Sequence, residues 1–191
     1  MLKVFKKIAA VCAAAFTAVS LCGCNGKLPF TGSKPDFNKS YSVSAEIKCD
    51  RLNAKAAVVR AGADDWEFTF TEPKELNGVV LAINSNGYTA KLGDMKFKAD
   101  DNAAYTMLPE VIFTALDMLA ATDAGQLTQE DDILTAQLAF DDKTVTVTAD
   151  SKGNLISLKS PYHQLSVNFS DQQPYKSPLP DDGGLISLPQ Q

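Results

Sequence analysis

The chain has one histidine, His163, and beyond residue 24 one cysteine, Cys49. A lone cysteine cannot close an internal disulfide, so the folded part must hold together through its core, and Cys49 among apolar neighbours reads as a small buried hydrophobe. A lone histidine without a cysteine or carboxylate at ligand spacing gives no imidazole-based dyad and no zinc-type ligand set. It follows Pro161-Tyr162 and reads as a strand-edge surface residue. Basic clusters are also missing. The first 23 residues contribute three lysines and no acid to the net charge of −5, so the remainder carries −8. An acidic chain with scattered lysines argues against nucleic acid as a partner, and against electrostatic attachment to an anionic headgroup surface. No G-x-S-x-G, H-E-x-x-H, P-loop or C-x-x-C pattern occurs in the folded part. The acidic pairs Asp64-Asp65, Asp100-Asp101, Asp131-Asp132 and Asp141-Asp142 fall at predicted loops, where carboxylates form solvated turns. The expectation is no catalytic residue, no metal, no cofactor and no enzyme.

What is present begins with residues 1–23. Lys3, Lys6 and Lys7 precede an apolar stretch over residues 8–21, the layout of a secretory signal. That stretch is shorter than the roughly 20 apolar residues a spanning helix needs. It ends in Leu21-Cys22-Gly23-Cys24, which resembles the lipobox of bacterial lipoproteins. The resemblance implies cleavage between Gly23 and Cys24 and acylation of Cys24 by palmitate-like chains. The mature protein would then be anchored in the cell membrane on its extracytoplasmic face. The residue types suit that chemistry, since a thiol can form the thioether and a side-chain-free Gly23 lets a protease approach the bond.

Residues 24–39 are short of large apolar side chains and carry Gly26, Pro29, Gly32, Ser33 and Pro35, so they read as a lipid-anchored tether. Residues 172–191 hold Pro174, Pro178, Pro180, Gly183, Gly184 and Pro189 and read as a disordered tail. Between them, residues 40–171 form the predicted β domain. Tyr41, Val43, Ala45, Ile47 and Cys49 alternate with polar residues, as do Trp66, Phe68 and Phe70. Similar runs follow at Val79 to Ile83, Tyr88 to Leu92, Met95 to Phe97, Ile133 to Phe140, Lys143 to Ala149, Leu155 to Leu158 and Leu165 to Phe169, about nine strands in all. Short turns such as Asn86-Gly87 and Gly93-Asp94 make neighbouring strands antiparallel. Met107 to Ala121 breaks the period: Met107, Leu108, Val111, Ile112, Ala115, Leu116 and Leu119 are spaced for one helix, with Pro109 tolerated in its first turn.

Phe68-Thr69-Phe70-Thr71-Glu72-Pro73-Lys74-Glu75-Leu76-Asn77-Gly78, the hairpin turn Asp150-Ser151-Lys152-Gly153-Asn154-Leu155-Ile156 and the strand Val167-Asn168-Phe169-Ser170 resemble segments of the LolA/LolB-like lipoprotein-carrier fold. The resemblance implies a mainly β architecture, an antiparallel and incompletely closed barrel with a covering α-helix. It also implies a concave apolar face that holds a lipid, an acyl chain or an acylated protein. A curled sheet with more inner area than one helix can plug leads to the same hollow. Its expected lining is Trp66, Phe68, Phe70, Leu81, Ile83, Met95 and Phe97 from strands, with Val111, Ile112, Leu116 and Leu119 from the helix. The functional expectation is a membrane-anchored binder of a hydrophobic ligand. The alternative is a cargo-free envelope scaffold that meets a protein partner through its acidic loops or tail.

Overall fold

Alternation along β2 (Tyr41–Cys49) buries Tyr41, Val43, Ala45 and Ile47, while Ser44, Glu46 and Lys48 face water. The same rule shapes β10 (Lys143–Asp150) and β12 (Leu165–Pro174), whereas β4 (Asp65–Glu72) sets Trp66, Phe68 and Phe70 on its inner face and buries Glu67 on the outer one as well. These elements belong to a computed structural model that describes residues 28–50, 52–84, 87–99, 107–140 and 143–176. Gly23, Cys24, the expected signal and the tail beyond residue 176 lie outside the described residues. The remaining strands are β1 (Leu28–Pro29), β3 (Leu52–Gly62), β5 (Val79–Asn84), β6 (Gly87–Leu92), β7 (Met95–Ala99), β8 (Leu127–Glu130), β9 (Ile133–Phe140) and β11 (Leu155–Ser160). One α-helix, α1 (Met107–Ala121), stands between β7 and β8, followed by a short 3-10 turn at Ala124–Gln126.

Among the described residues all strand pairs are antiparallel and form one sheet of twelve in the order β1-β8-β9-β10-β11-β12-β2-β3-β4-β5-β6-β7. Two meanders compose it. β2 to β7 run outward in one direction, β8 to β12 return from the other, and the halves join where β12 pairs with β2. β7 forms one edge and β1 the other, and no described strand closes the gap between them. Because α1 links β7 to β8, the helix crosses the inside of an open, curled sheet, where Ile112, Ala115, Leu116 and Leu119 are buried.

The strand count of twelve corrects the expectation of about nine. β3 escaped notice because Ala54, Ala56, Val58 and Arg60 on its inner face alternate with Ala57 and Val59, which blurs the period, and because Arg60 is a charge in a core position. β8 and β1 are too short to show a period. The boundaries of the domain also move. The expected tether is packed against the fold from Leu28: β1 pairs with β8, Phe30 N donates to Leu127 O at 2.9 Å, and Phe37 is buried in the core. At the other end β12 runs to Pro174, into the segment expected to be tail, and Tyr175 N donates to Ser40 O at 3.1 Å.

A buried polar clamp fixes α1 on the sheet. Arg60 is 1% exposed, and its guanidinium donates to Asp117 Oδ1 through Nε at 3.1 Å and through Nη2 at 2.9 Å. Its Nη1 donates to Asn38 O at 2.8 Å. Asp117 Oδ2 accepts from the Trp66 indole at 2.8 Å and from Asp64 N at 3.2 Å. The carboxylate therefore joins α1, β3, β4 and the β3–β4 turn. Tyr41 packs edge-on to Trp66 at 6.1 Å, and burial pushes its hydroxyl far above the ordinary tyrosine value, with Arg60 opposing and Asp117 reinforcing the shift. At the same end Lys34 Nζ donates to Ala120 O at 2.6 Å. It supplies the C-terminal cation that the helix, with no basic residue in its last turn, lacks.

Removing one partner of a buried ion pair leaves the other charge uncompensated, so Asp117→Ala is expected to cost about 3–5 kcal/mol; urea unfolding checks this, and a midpoint equal to wild type would contradict it.

On the outer face Glu67 is buried, and its carboxyl is pushed up by that burial and by Asp65, with Lys91 only partly offsetting the shift. A raised folded-state value means the native protein holds this proton more tightly than the unfolded chain does. Stability from this group is thus full below the ordinary carboxyl range and falls as pH climbs through the raised value. Glu67→Gln is expected to raise the thermal midpoint at neutral pH and to lose that advantage in acid; an unchanged difference across pH would refute the assignment.

Candidate functional site

The sheet's inner face is not evenly filled. α1 lies closest to β9 and β10, and its last two turns are held by the Asp117 clamp, so its weight rests on one half of the curl. Under its first turn, toward β5 and β6, a cavity of about 620 Å³ remains. That volume lies within the roughly 300–1,000 Å³ typical of small-molecule sites.

Its walls come from several elements. Leu108, Pro109 and Val111 descend from the first turn of α1, and Phe70, Val79, Leu81 and Ala90 rise from β4, β5 and β6. Leu76 comes from the β4–β5 loop. Cys49, Leu52, His163 and Leu165 close the end where the β2–β3 and β11–β12 turns meet. Register explains the space. Across the strands Phe68 stands beside Leu81, Leu81 beside Ala90, and Ala90 beside Phe97. At Ala90 only a methyl reaches inward, between two large side chains.

Of the lining residues expected from sequence, Phe70, Leu81 and Val111 meet at this cavity. Trp66, Phe68, Ile83, Ile112, Leu116 and Leu119 are instead packed core, each at most 6% exposed, and are not among its lining residues. Trp66 in particular serves the Asp117 clamp. Met95 and Phe97 lie on edge strand β7 and are 55% and 56% exposed. Leu108 and Pro109 of the first helical turn, Cys49 at the end of β2 and His163 in the β11–β12 turn were missed. Periodicity reports which face a side chain takes, but not which strand ends a fold brings together.

The polar groups at the cavity are few. Cys49 Sγ donates to His163 O at 3.3 Å, and burial pushes the thiol up, helped by Asp50, which keeps it in the unreactive protonated form. His163 is half-buried in the β11–β12 turn, not a surface residue at a strand edge, and its Nδ1 shares a 2.7 Å hydrogen bond with the buried Ser160 hydroxyl. Among the described residues no group of three or more His, Cys, Asp or Glu could hold a metal ion, and no helix is long and apolar enough to cross a membrane. The arrangement suits enclosure of apolar matter.

No protein-family model and no curated protein matches the chain. Among solved structures, it is similar to an uncharacterized conserved protein from Thermus thermophilus, at 8% identity over 79% of this chain and 91% of that one, with a TM-score of 0.46. It is also similar to a LolA superfamily protein from Nitrosomonas europaea, at 11% identity over 74% of this chain and 88% of that one, with a TM-score of 0.36. Likenesses of this strength carry nothing about function.

An Ala90→Trp change separates a hollow from a packed interior. In a packed core the added ring would cost about 1–3 kcal/mol. Here it is expected to change the unfolding free energy, read from urea denaturation, by under about 0.5 kcal/mol, because it fills existing space. Unfolding at the larger cost would show that the space is not available.

Proposed function

We propose that the protein holds a hydrophobic ligand, a lipid or the acyl chain of a larger molecule, in the cavity beneath the first turn of α1, while acylated Cys24 anchors it on the extracytoplasmic face of the cell membrane. The observation that supports holding is the cavity itself: about 620 Å³ of apolar-walled space that the protein's own side chains leave unfilled. Each methylene buried there contributes about 0.8 kcal/mol, so a chain of ordinary acyl length gains enough to stay bound without a covalent link. The support for anchoring is separate. It is the lysine-led signal layout and Leu21-Cys22-Gly23-Cys24. Binding proceeds by burial, with no bond made or broken, in keeping with a thiol held protonated and an imidazole tied to Ser160.

Acylated protein purified from its membrane in mild detergent tests both parts. Native mass spectrometry is expected to show a co-purified lipid, and a fluorescent fatty acid should bind with a stoichiometry near one. Ala90→Trp should weaken that binding at least tenfold. Clean apo protein that also ignores the fluorescent probe would overturn the ligand reading. A Cys24→Ser protein that still floats with vesicles after signal removal would overturn the anchoring route.

A further inference from the structure

The inner face of the sheet does not end at the cavity. Along one row, burial falls steadily: Phe68 is fully buried, Leu81 and Ala90 are half-buried, and Phe97 is 56% exposed. The adjacent row ends in Leu92 and Met95, 40% and 55% exposed. Since Leu81 and Ala90 line the cavity, the exposed apolar side chains are the continuation of its wall onto the free edge of the sheet.

The opposite face of the same hairpin is basic. Lys96 and Lys98 alternate with Met95 and Phe97, and Lys91 stands directly across from Lys96. Like charges directly opposite one another disfavour the pair. Neither Lys96 nor Lys98 has an ion-pair partner among the described residues. The lysines appear scattered in sequence, but the fold gathers them on one hairpin of a chain whose net charge is −5.

We infer that the β6–β7 hairpin is a bilayer-docking surface, with Leu92, Met95 and Phe97 seated at the acyl boundary and Lys91, Lys96 and Lys98 reaching anionic lipid phosphates. The inference rests on the proposed anchoring at Cys24. Apolar side chains beside lysine stems are the composition of an interfacial amphipathic element. The anchor makes the bilayer the available occupant: only Asn25, Gly26 and Lys27 separate Cys24 from Leu28, and the four Cα steps reach at most about 14 Å. Strand β1, where that link ends, and β7 are the two free edges of the sheet, and α1 runs in sequence from β7 to β8, the partner of β1. A second copy is disfavoured, because antiparallel pairing of two β7 edges would bring lysine against lysine. Docking there places the exposed end of the cavity wall against lipid, so a hydrophobic guest can pass between bilayer and cavity without crossing water.

The test uses the acylated protein in phosphatidylglycerol vesicles whose acyl chains carry bromine. Trp66 is 1% exposed and stays shielded, so emission added by Phe97→Trp reports the hairpin alone. We expect that emission to be quenched at least twofold, and the quenching to vanish when Lys96→Glu and Lys98→Glu are added. Unquenched emission would overturn the inference, as would quenching that survives both charge reversals. A dimer in detergent that those reversals abolish would give the edge to a second copy instead. Protein that does not float with vesicles overturns both this inference and the anchoring beneath it. Floating protein that takes up fatty acid but is not quenched overturns this inference alone.

Discussion

One buried charge governs how this protein is assembled. Arg60 occupies an inward strand position where alternation would place an apolar residue, and its guanidinium can remain there only because every side of it is answered. Asp117 takes two of its N–H groups, the Asn38 carbonyl takes another, and the Trp66 ring lies 5.6 Å from its centre. A pair of this kind adds little net stability over an apolar substitute, but it tolerates very few arrangements. Because Asp117 rides on α1 and also accepts from Trp66 and Asp64, both the rotation and the axial position of the helix are set at its C-terminal half. The geometry of the cavity follows from that. It lies under the helix's other end.

The two ends of α1 are therefore held by different forces. The last turns are tied by directional bonds, including the one from Lys34 to Ala120. The first turn rests on apolar contact through Leu108, Pro109 and Val111. Directional bonds in a dry site resist small displacements steeply, whereas contact across a partly empty space does not. The difference gives the protein a rigid frame and a compliant margin, and the compliant margin is where the proposed ligand would sit.

Much of the architecture was legible in the sequence, since strands with one wet face show it in every second residue. Tyr41 to Cys49 and the helix over Met107–Ala121 were read to the residue. What could not be read has specific causes. β3 carries apolar side chains on both faces and a charge among them; in retrospect Arg60 inside an apolar strand and Asp117 inside an apolar helix were the one signal that two elements share a buried pair. The tether looked polar because its one core residue, Phe37, stands alone, and its order comes from contacts with distant parts such as Pro35 against Gly153. The site was half legible. Phe70, Leu81 and Val111 were named from their period, but Trp66 and Phe68, equally apolar and in the same strand as Phe70, face filled space. Only the position of the helix distinguishes them.

The junction of β12 with β2 has a consequence for how the chain acquires its shape. Each meander is local, every strand pairing with its neighbour in sequence, and can form soon after it is synthesised. The seam between them joins the first long strand to the last, more than a hundred residues apart, and it must wait for the C-terminal strand to arrive. A polypeptide built this way stays open down its middle until its final strand is added, so the two halves of the sheet become one cooperative unit in the last step of assembly.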